Sequence, residues 1–275
     1  MRGDPAAGGS LDVLYTADGI FGPNSYCFDG WGNLYYMGTG GLYKIAKGGG
    51  APEPLTCSRL PTMMSSIDRA THRITLGFDR KRFGIKIAIT TIATGADTDY
   101  WYDLRTDGFF PESYSTGAGV FSQVYYDANN SAYNHLCLGC NDGYIRYFKD
   151  DTYSDQAADD SAVAITSYVL YGPVNISQGN REGMINNLYI STGSSTTNAL
   201  YNVYVNNSAQ QLVDDVGNAG LFSGTFSTGG RQYNIRDKIS GAFMGVKIGN
   251  STAAKTFAIE KIEFDATVGG KLKRI

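Results

Sequence analysis

The residues able to do chemistry are few and scattered. The 275-residue chain holds only two histidines, His72 and His135, and four cysteines, Cys27, Cys57, Cys137 and Cys140. A serine or cysteine nucleophile needs an adjacent base. His72 lies in Ala70-Thr-His-Arg73 and reads as a turn residue instead. Cys137-Leu-Gly-Cys140 has metal-knuckle spacing, but a zinc site wants a second close pair or a histidine. Residues three apart on a strand face opposite sides, so the four thiols read as reduced packing residues, and neither a metal nor a cofactor is expected. The remaining candidates are carboxylates and aromatic rings. Asp103, Asp107 and Glu112 flank Tyr100-Trp-Tyr102. Such a stretch suits a sugar-binding face or, with two opposed acids, glycoside hydrolysis. Trp31, Trp101 and Tyr102 are the candidate glycan-stacking platforms. There is no Gly-rich phosphate loop, His-Glu-x-x-His or Gly-x-Ser-x-Gly, the motifs that mark several common catalytic folds. No catalytic residue is assigned, and an enzyme is not expected.

Charge adds little. The net charge is −3 and charged residues make up 18%, below the roughly 25% of typical soluble domains. A duplex-binding domain carries a basic stripe; here Arg80-Lys-Arg82 and Lys271, Lys273 and Arg274 are short and sit at turns or ends. Met1 to Ser10 is polar and Gly-rich, unlike a secretory signal. No run approaches the roughly 18 apolar residues of a membrane helix, so no membrane anchor is expected. Arg2-Gly3-Asp4 matches an adhesion tripeptide too short to carry weight. The Asn-x-Ser/Thr triplets at Asn129, Asn175, Asn206 and Asn250 read as turns.

The elements that would position these residues are strands. Thirty-five glycines and 20 tyrosines suit short strands joined by tight turns. From Ser25 to Phe148, β-branched and aromatic runs alternate with Asp-Gly, Gly-Asn and Gly-Gly signals. They include a candidate strand at Ile67 to Asp68 and a meander over Arg73-Phe78, Ile85-Thr91 and Tyr100-Leu104. Asn33-Leu-Tyr-Tyr-Met-Gly-Thr-Gly-Gly-Leu-Tyr-Lys-Ile45 aligns with Asn134-His-Leu-Cys-Leu-Gly-Cys-Asn-Asp-Gly-Tyr-Ile-Arg-Tyr147, as strand, turn, strand with a basic residue. Short antiparallel sheets that recur in this way read as propeller blades.

Residues 149–161 carry Asp150, Asp151, Asp155, Asp159 and Asp160. They lack the acidic spacing of a calcium loop and read as an acidic connector. Beyond it, about seven alternating strands between Ala162 and Phe264 suggest a two-layer sandwich, with one short helix at Ser208 to Val216 capped by Ser208. The expected organisation is therefore all-β: propeller-blade-like sheets over 1–150, an acidic linker at 151–161 and a β-sandwich over 162–275.

Four segments in order carry a resemblance. They are Asp29-Gly-Trp-Gly-Asn-Leu-Tyr-Tyr-Met-Gly-Thr-Gly-Gly-Leu-Tyr-Lys-Ile45, Tyr100-Trp-Tyr-Asp-Leu-Arg-Thr-Asp-Gly-Phe-Phe-Pro-Glu112, Asn141-Asp-Gly-Tyr-Ile-Arg-Tyr-Phe148 and Thr166-Ser-Tyr-Val-Leu-Tyr-Gly-Pro173. Together they resemble virion structural proteins of tailed bacteriophages in which a β-propeller precedes a β-sandwich. The resemblance implies a tail nozzle or head–tail connector-like component, located in the virion tail or neck and assembled in the host cytoplasm. Its implied partners are other copies in a ring, other virion proteins (adaptor, portal or tail-tip proteins) and phage DNA in transit. The family has no catalytic residues to carry over. In that family the stretch like Arg2-Gly-Asp-Pro-Ala-Ala-Gly-Gly9 lies inside the propeller, whereas residues 10–148 here supply roughly three blades and closed propellers usually have at least four. The chain is thus expected to be part of a longer product, to be completed by another subunit, or to be an open sheet. The competing expectation is a tail-associated module that binds a host-surface glycan.

Overall fold

The computed structural model describes residues 19–114, 119–149, 152, 154–156, 162–178, 181–236 and 239–272. Strands account for 53%, and among the described residues there is one short α-helix and several antiparallel sheets, none closed into a barrel, so the protein is all-β. The chain divides into two compact units, Met1–Asp150 and Asp151–Ile275.

The first unit is built from three sheets, each a simple meander in chain order. Sheet one holds β1 (Tyr26–Phe28), β2 (Leu34–Gly38), β3 (Gly41–Ile45) and β4 (Glu53–Pro54). Sheet two holds β5 (His72–Asp79), β6 (Gly84–Thr91), β7 (Asp97–Asp103) and β8 (Gly108–Glu112). Sheet three holds β9 (Val120–Tyr126), β10 (His135–Cys140) and β11 (Ile145–Tyr147). Meanders follow from the short turns, because antiparallel neighbours can be joined by a few residues whereas parallel ones need a long crossover. Asp29 makes the first turn: its carboxylate accepts from the Trp31 and Asn33 backbone N–H groups and from the Asn33 side-chain amide.

Sheet two is the middle layer. One face presents Ile74, Leu76, Phe78, Ile85, Ile87, Ile89 and Tyr102, which pack with Tyr35, Met37 and Leu42 of sheet one. Its other face carries Ala88, which packs with Val120, Leu136 and Leu138 of sheet three. Burial on both faces explains why β6 is buried almost throughout. Sheet three approaches closely because residue 77 has no side chain: a Cβ on Gly77 would lie 2.5 Å from Gln123 Oε1 and 2.9 Å from Leu136 Cδ1. Gln123 Nε2 in turn donates to the Thr75 carbonyl at 3.0 Å and to Thr75 Oγ1 at 2.8 Å.

Ile67 and Asp68, expected as strand, are not one. Asp68 Oδ1 accepts from the Ala70 N–H, and its carbonyl accepts from the N–H groups of Thr71 and His72. Local bonds of this kind give the backbone an alternative to a ladder. His72, read as a turn residue, instead opens β5.

In the second unit, β12 (Ser154–Gln156) pairs with β13 (Ala162–Ala164). The expected connector at 151–161 therefore contains a strand, while most of it lies outside the described residues. The remaining strands are β14 (Ser167–Asn175), β15 (Arg181–Thr192), β16 (Ala199–Asn206), β17 (Phe222–Phe226), β18 (Gln232–Ile235), β19 (Ile239–Gly241), β20 (Phe243–Asn250) and β21 (Ile259–Leu272). One sheet runs β14-β20-β16-β17; the other runs β18-β15-β19, with β21 also paired to β15. Both sheets contribute to a single core: Ile185, Leu188 and Ile190 from β15 meet Val203, Phe226, Val246 and Ile248. The helix α1 (Ala209–Asp214) begins at Ser208, whose hydroxyl accepts from the Gln211 N–H. It buries Leu212 against Tyr204, Leu170 and Phe243 of the first of these sheets.

Phe226 is fully buried, with its ring stacked on Tyr201 at 4.8 Å and tilted against Tyr233 at 4.6 Å. Phe226→Ala is expected to destabilise the second unit by about 3–5 kcal/mol through lost packing and an unfilled cavity, measured by chemical denaturation.

Candidate functional site

Two places in the first unit gather polar and aromatic side chains. The first is an open cavity of about 520 Å³ lined by Asp29, Trp31, Asn33, Tyr35, Lys44, Glu53, Leu55, Tyr102, Leu104 and Asp107. Its floor is a rung of sheet one. Lys44 on β3 is directly opposite both Tyr35 on β2 and Glu53 on β4. Directly opposed residues on antiparallel strands point to the same face, with Cβ atoms about 4.5–5.5 Å apart. A phenol, an ammonium and a carboxylate thus stand side by side. The far wall comes from sheet two, where Tyr102 tilts against Tyr35 at 6.3 Å between ring centroids.

Trp31 forms the rim and is 55% exposed. Its backbone is fixed by Asp29, and its ring meets Phe83 edge to face at 5.1 Å. Asp107 adopts a left-handed conformation, φ 54°, at the β7–β8 turn. Its carboxylate accepts from the Tyr102 hydroxyl at 2.5 Å and from Arg59. Those two bonds, the Arg59 one first, hold Asp107 down at about 2. Burial, and next the Asp107 carboxylate, push the Tyr102 phenol above its ordinary value. Burial followed by the Asp29 charge does the same to Tyr35. Both phenols therefore remain neutral hydrogen-bond donors across the ordinary pH range.

The second place lies on the opposite face of sheet two and is closed. Lys86 is fully buried, and its Nζ lies 2.9 Å from Glu112 Oε2, 2.8 Å from the Tyr114 hydroxyl and 2.8 Å from Asp99 Oδ2. Glu112 also pairs with Arg82 at 3.3 Å. Arg82 covers the Trp101 ring at 4.2 Å and the Phe148 ring at 4.3 Å. The Lys86 hydrogen bonds go to Glu112 and Tyr114, and neither Asp99 oxygen receives one. Asp99 thus has a cation nearby but no aligned donor. Its burial outweighs the attraction of Lys86 and raises it to about 6. For Glu112, burial works in the same direction, but Lys86, Arg82 and Tyr114 overcome it and lower the carboxyl.

The structure separates the residues expected to stack on sugars. Trp31 and Tyr102 line the same cavity. Trp101 does not: neighbours on a strand face opposite sides, so it turns away from Tyr102. Only 5% of it is exposed; it also lies over Gly84, where a Cβ would collide with the indole. A ring so enclosed has no face to offer a ligand. The three flagged carboxylates also part company. Asp107 reaches the cavity, Asp103 is held by Arg105 at 2.7 Å, and Glu112 belongs to the Lys86 network. None of the three is free to act with another. Cys137 and Cys140 are both unpaired and half-buried on β10, and no group of metal-ligating side chains is found among the described residues.

Sequence reading missed Asp29, Asn33, Tyr35, Lys44, Glu53, Leu55 and Leu104 as cavity residues. The usable signal was alternation. Once Gly40-Gly41 is read as a hairpin turn, the strands that flank it place Tyr35 and Lys44 opposite each other. No family model matches the chain, and no curated protein matches it.

The buried network gives a pH signature. The groups facing Asp99 are Lys86, Asp97 and Glu112, with Tyr114 and Cys140 nearby. Folding raises Asp99 to about 6, whereas an unfolded carboxyl titrates near about 3.9. Its contribution to stability is complete below the unfolded value and is lost as pH rises through the folded one. Asn keeps the neutral form at every pH. The stability difference between Asp99→Asn and wild type is therefore expected to move in the variant's favour as pH rises from about 4 to about 7, read from urea unfolding at a series of pH values.

Proposed function

We propose that the chain is a structural subunit of a tailed-phage virion, at the tail or head–tail junction, where copies form a ring that is part of the DNA conduit. In this reading the three stacked meanders are blades of a partial or open propeller, completed by neighbouring sheets. The observation that most supports it is the outer face of sheet three. The register of β9, β10 and β11 puts Val124, Tyr126, His135, Cys137, Ile145 and Tyr147 on one side. Ile145 is 76% exposed and Val124 64%, and Tyr126 and Tyr147 are also exposed. The opposite side of the same sheet is packed through Leu136 and Leu138. Contiguous exposed apolar surface of this kind marks an interaction site, and head-to-tail contacts between identical copies form a ring when the rotation between them closes. The ordered resemblance of four segments to phage virion proteins supplies the context. The function is mechanical, and a net charge of −3 discourages adhesion of the DNA backbone to the wall.

The test is assembly state. Light scattering and negative-stain microscopy of the purified chain are expected to show a closed ring, and peptide mass spectrometry should find the chain in purified virions. Ile145→Lys is expected to yield a folded monomer. A wild-type protein that stays monomeric when concentrated and is missing from virions would overturn the reading.

A further inference from the structure

We infer that the cavity between sheet one and the β7–β8 turn binds a neutral pyranose ring of a glycan. The inference rests on the geometry of that cavity alone and does not depend on ring assembly, which concerns the outer face of sheet three. Ligand sites are concave, and about 520 Å³ falls within the roughly 300–1,000 Å³ typical of small-ligand pockets. A pyranose has one face of C–H groups and a rim of hydroxyls that both donate and accept. The cavity offers a partner for each part.

For the C–H face there is Trp31. An indole that is more than half exposed is ordinarily a mobile side chain. Here the Asp29 carboxylate bonds its backbone N–H at 2.9 Å, and Phe83 packs against the ring. The Phe83 brace is itself held in a left-handed conformation, φ 62°. The platform is pre-oriented, so a ligand meets little ordering loss on binding.

For the hydroxyl rim there is the Tyr35–Lys44–Glu53 rung. Lys44 is only partly exposed and lies between the two. Its ammonium can donate to a sugar oxygen, and the adjacent Glu53 carboxylate can accept from a hydroxyl of the same ring. Asp29 and Asp107 play a different part. Their oxygens are already committed, to Trp31 and Asn33 on one side and to Arg59 and Tyr102 on the other. They are positioning residues that hold the rim and the far wall.

Charge selects the class of sugar. The lining holds three carboxylates, on Asp29, Glu53 and Asp107, against one ammonium on Lys44, with Arg59 tied to Asp107 behind it. A uronate or other anionic sugar would meet net like charge, which opposes its entry. A neutral hexose meets no such opposition.

The test uses ligand-observed saturation-transfer NMR on the full chain. The probes are the methyl glycosides of glucose, galactose, mannose and glucuronate, each with wild type and with four variants. At least one neutral glycoside is expected to bind with a dissociation constant on the order of 1 mM, and the glucuronide is expected to show no comparable transfer. Trp31→Ala should abolish binding and Trp31→Phe should keep part of it. Glu53→Gln should weaken it while leaving the thermal unfolding curve unchanged. Phe110→Ala removes an exposed aromatic ring that does not line the cavity and should change nothing. The inference is overturned if no neutral glycoside receives transfer, if the glucuronide binds better than all of them, or if Glu53→Gln and Trp31→Phe bind like wild type. Loss of binding in Phe110→Ala would also overturn it. The ring reading stands or falls separately, on Ile145→Lys.

Discussion

The first unit depends on a middle sheet that is buried on both sides. β6 has water on neither face along nearly its whole length, so its residues must be either apolar or compensated. Isoleucines at 85, 87 and 89 meet the first condition on the face toward sheet one. Lys86 meets the second on the face toward sheet three. An unpaired ammonium at that depth would be very unfavourable, and two carboxylates, a phenol and a nearby guanidinium surround it. Buried ion clusters are weak sources of net stability, because desolvation consumes most of the attraction. They are nevertheless sensitive to the loss of any one member. The network therefore ties β6, β7 and β8 to the residues around Tyr114.

That layering also creates the cavity. The apolar contact between sheets one and two ends at Tyr35 and Tyr102, the last rings of the shared core. Beside them lies the cavity, lined by the Tyr35–Lys44–Glu53 rung and by side chains of the turns that hold Asp29 and Asp107. Asp29 accepts the local hydrogen bonds that set the first turn, and Asp107 accepts from the Tyr102 hydroxyl and from Arg59. The hydroxyl of the buried Tyr102 is thereby satisfied at the boundary where the dry core meets water, as a buried tyrosine requires.

The second unit solves its burial problem more conventionally. Two sheets enclose one apolar core, and the outer face of one of them is covered locally by a short helix. The Tyr204 hydroxyl donates to the Val216 carbonyl at 2.9 Å and the Lys247 ammonium to the same oxygen at 3.2 Å. These bonds satisfy a buried helix end that would otherwise leave free carbonyls. Sheet three of the first unit has no equivalent cover among the described residues, and that contrast makes its aromatic outer face informative.

Much of the local structure was legible in the amino-acid sequence. Period-two alternation and glycine or aspartate turns marked nearly every strand, and Ser208 marked the helix α1, because these signals act over a few residues. The sequence could not decide which face of each strand would be dry. Trp101 and Tyr102 are adjacent and chemically alike, yet one is enclosed beneath Arg82 and the other lines the cavity. Lys86, an ordinary lysine in a run of apolar residues, is buried completely. The cavity joins residues 29–55 to residues 102–107, and only the stacking of two sheets brings them together. Alternation assigns side chains to two faces, but which neighbour covers each face depends on contacts between distant segments, and tertiary structure alone decides those.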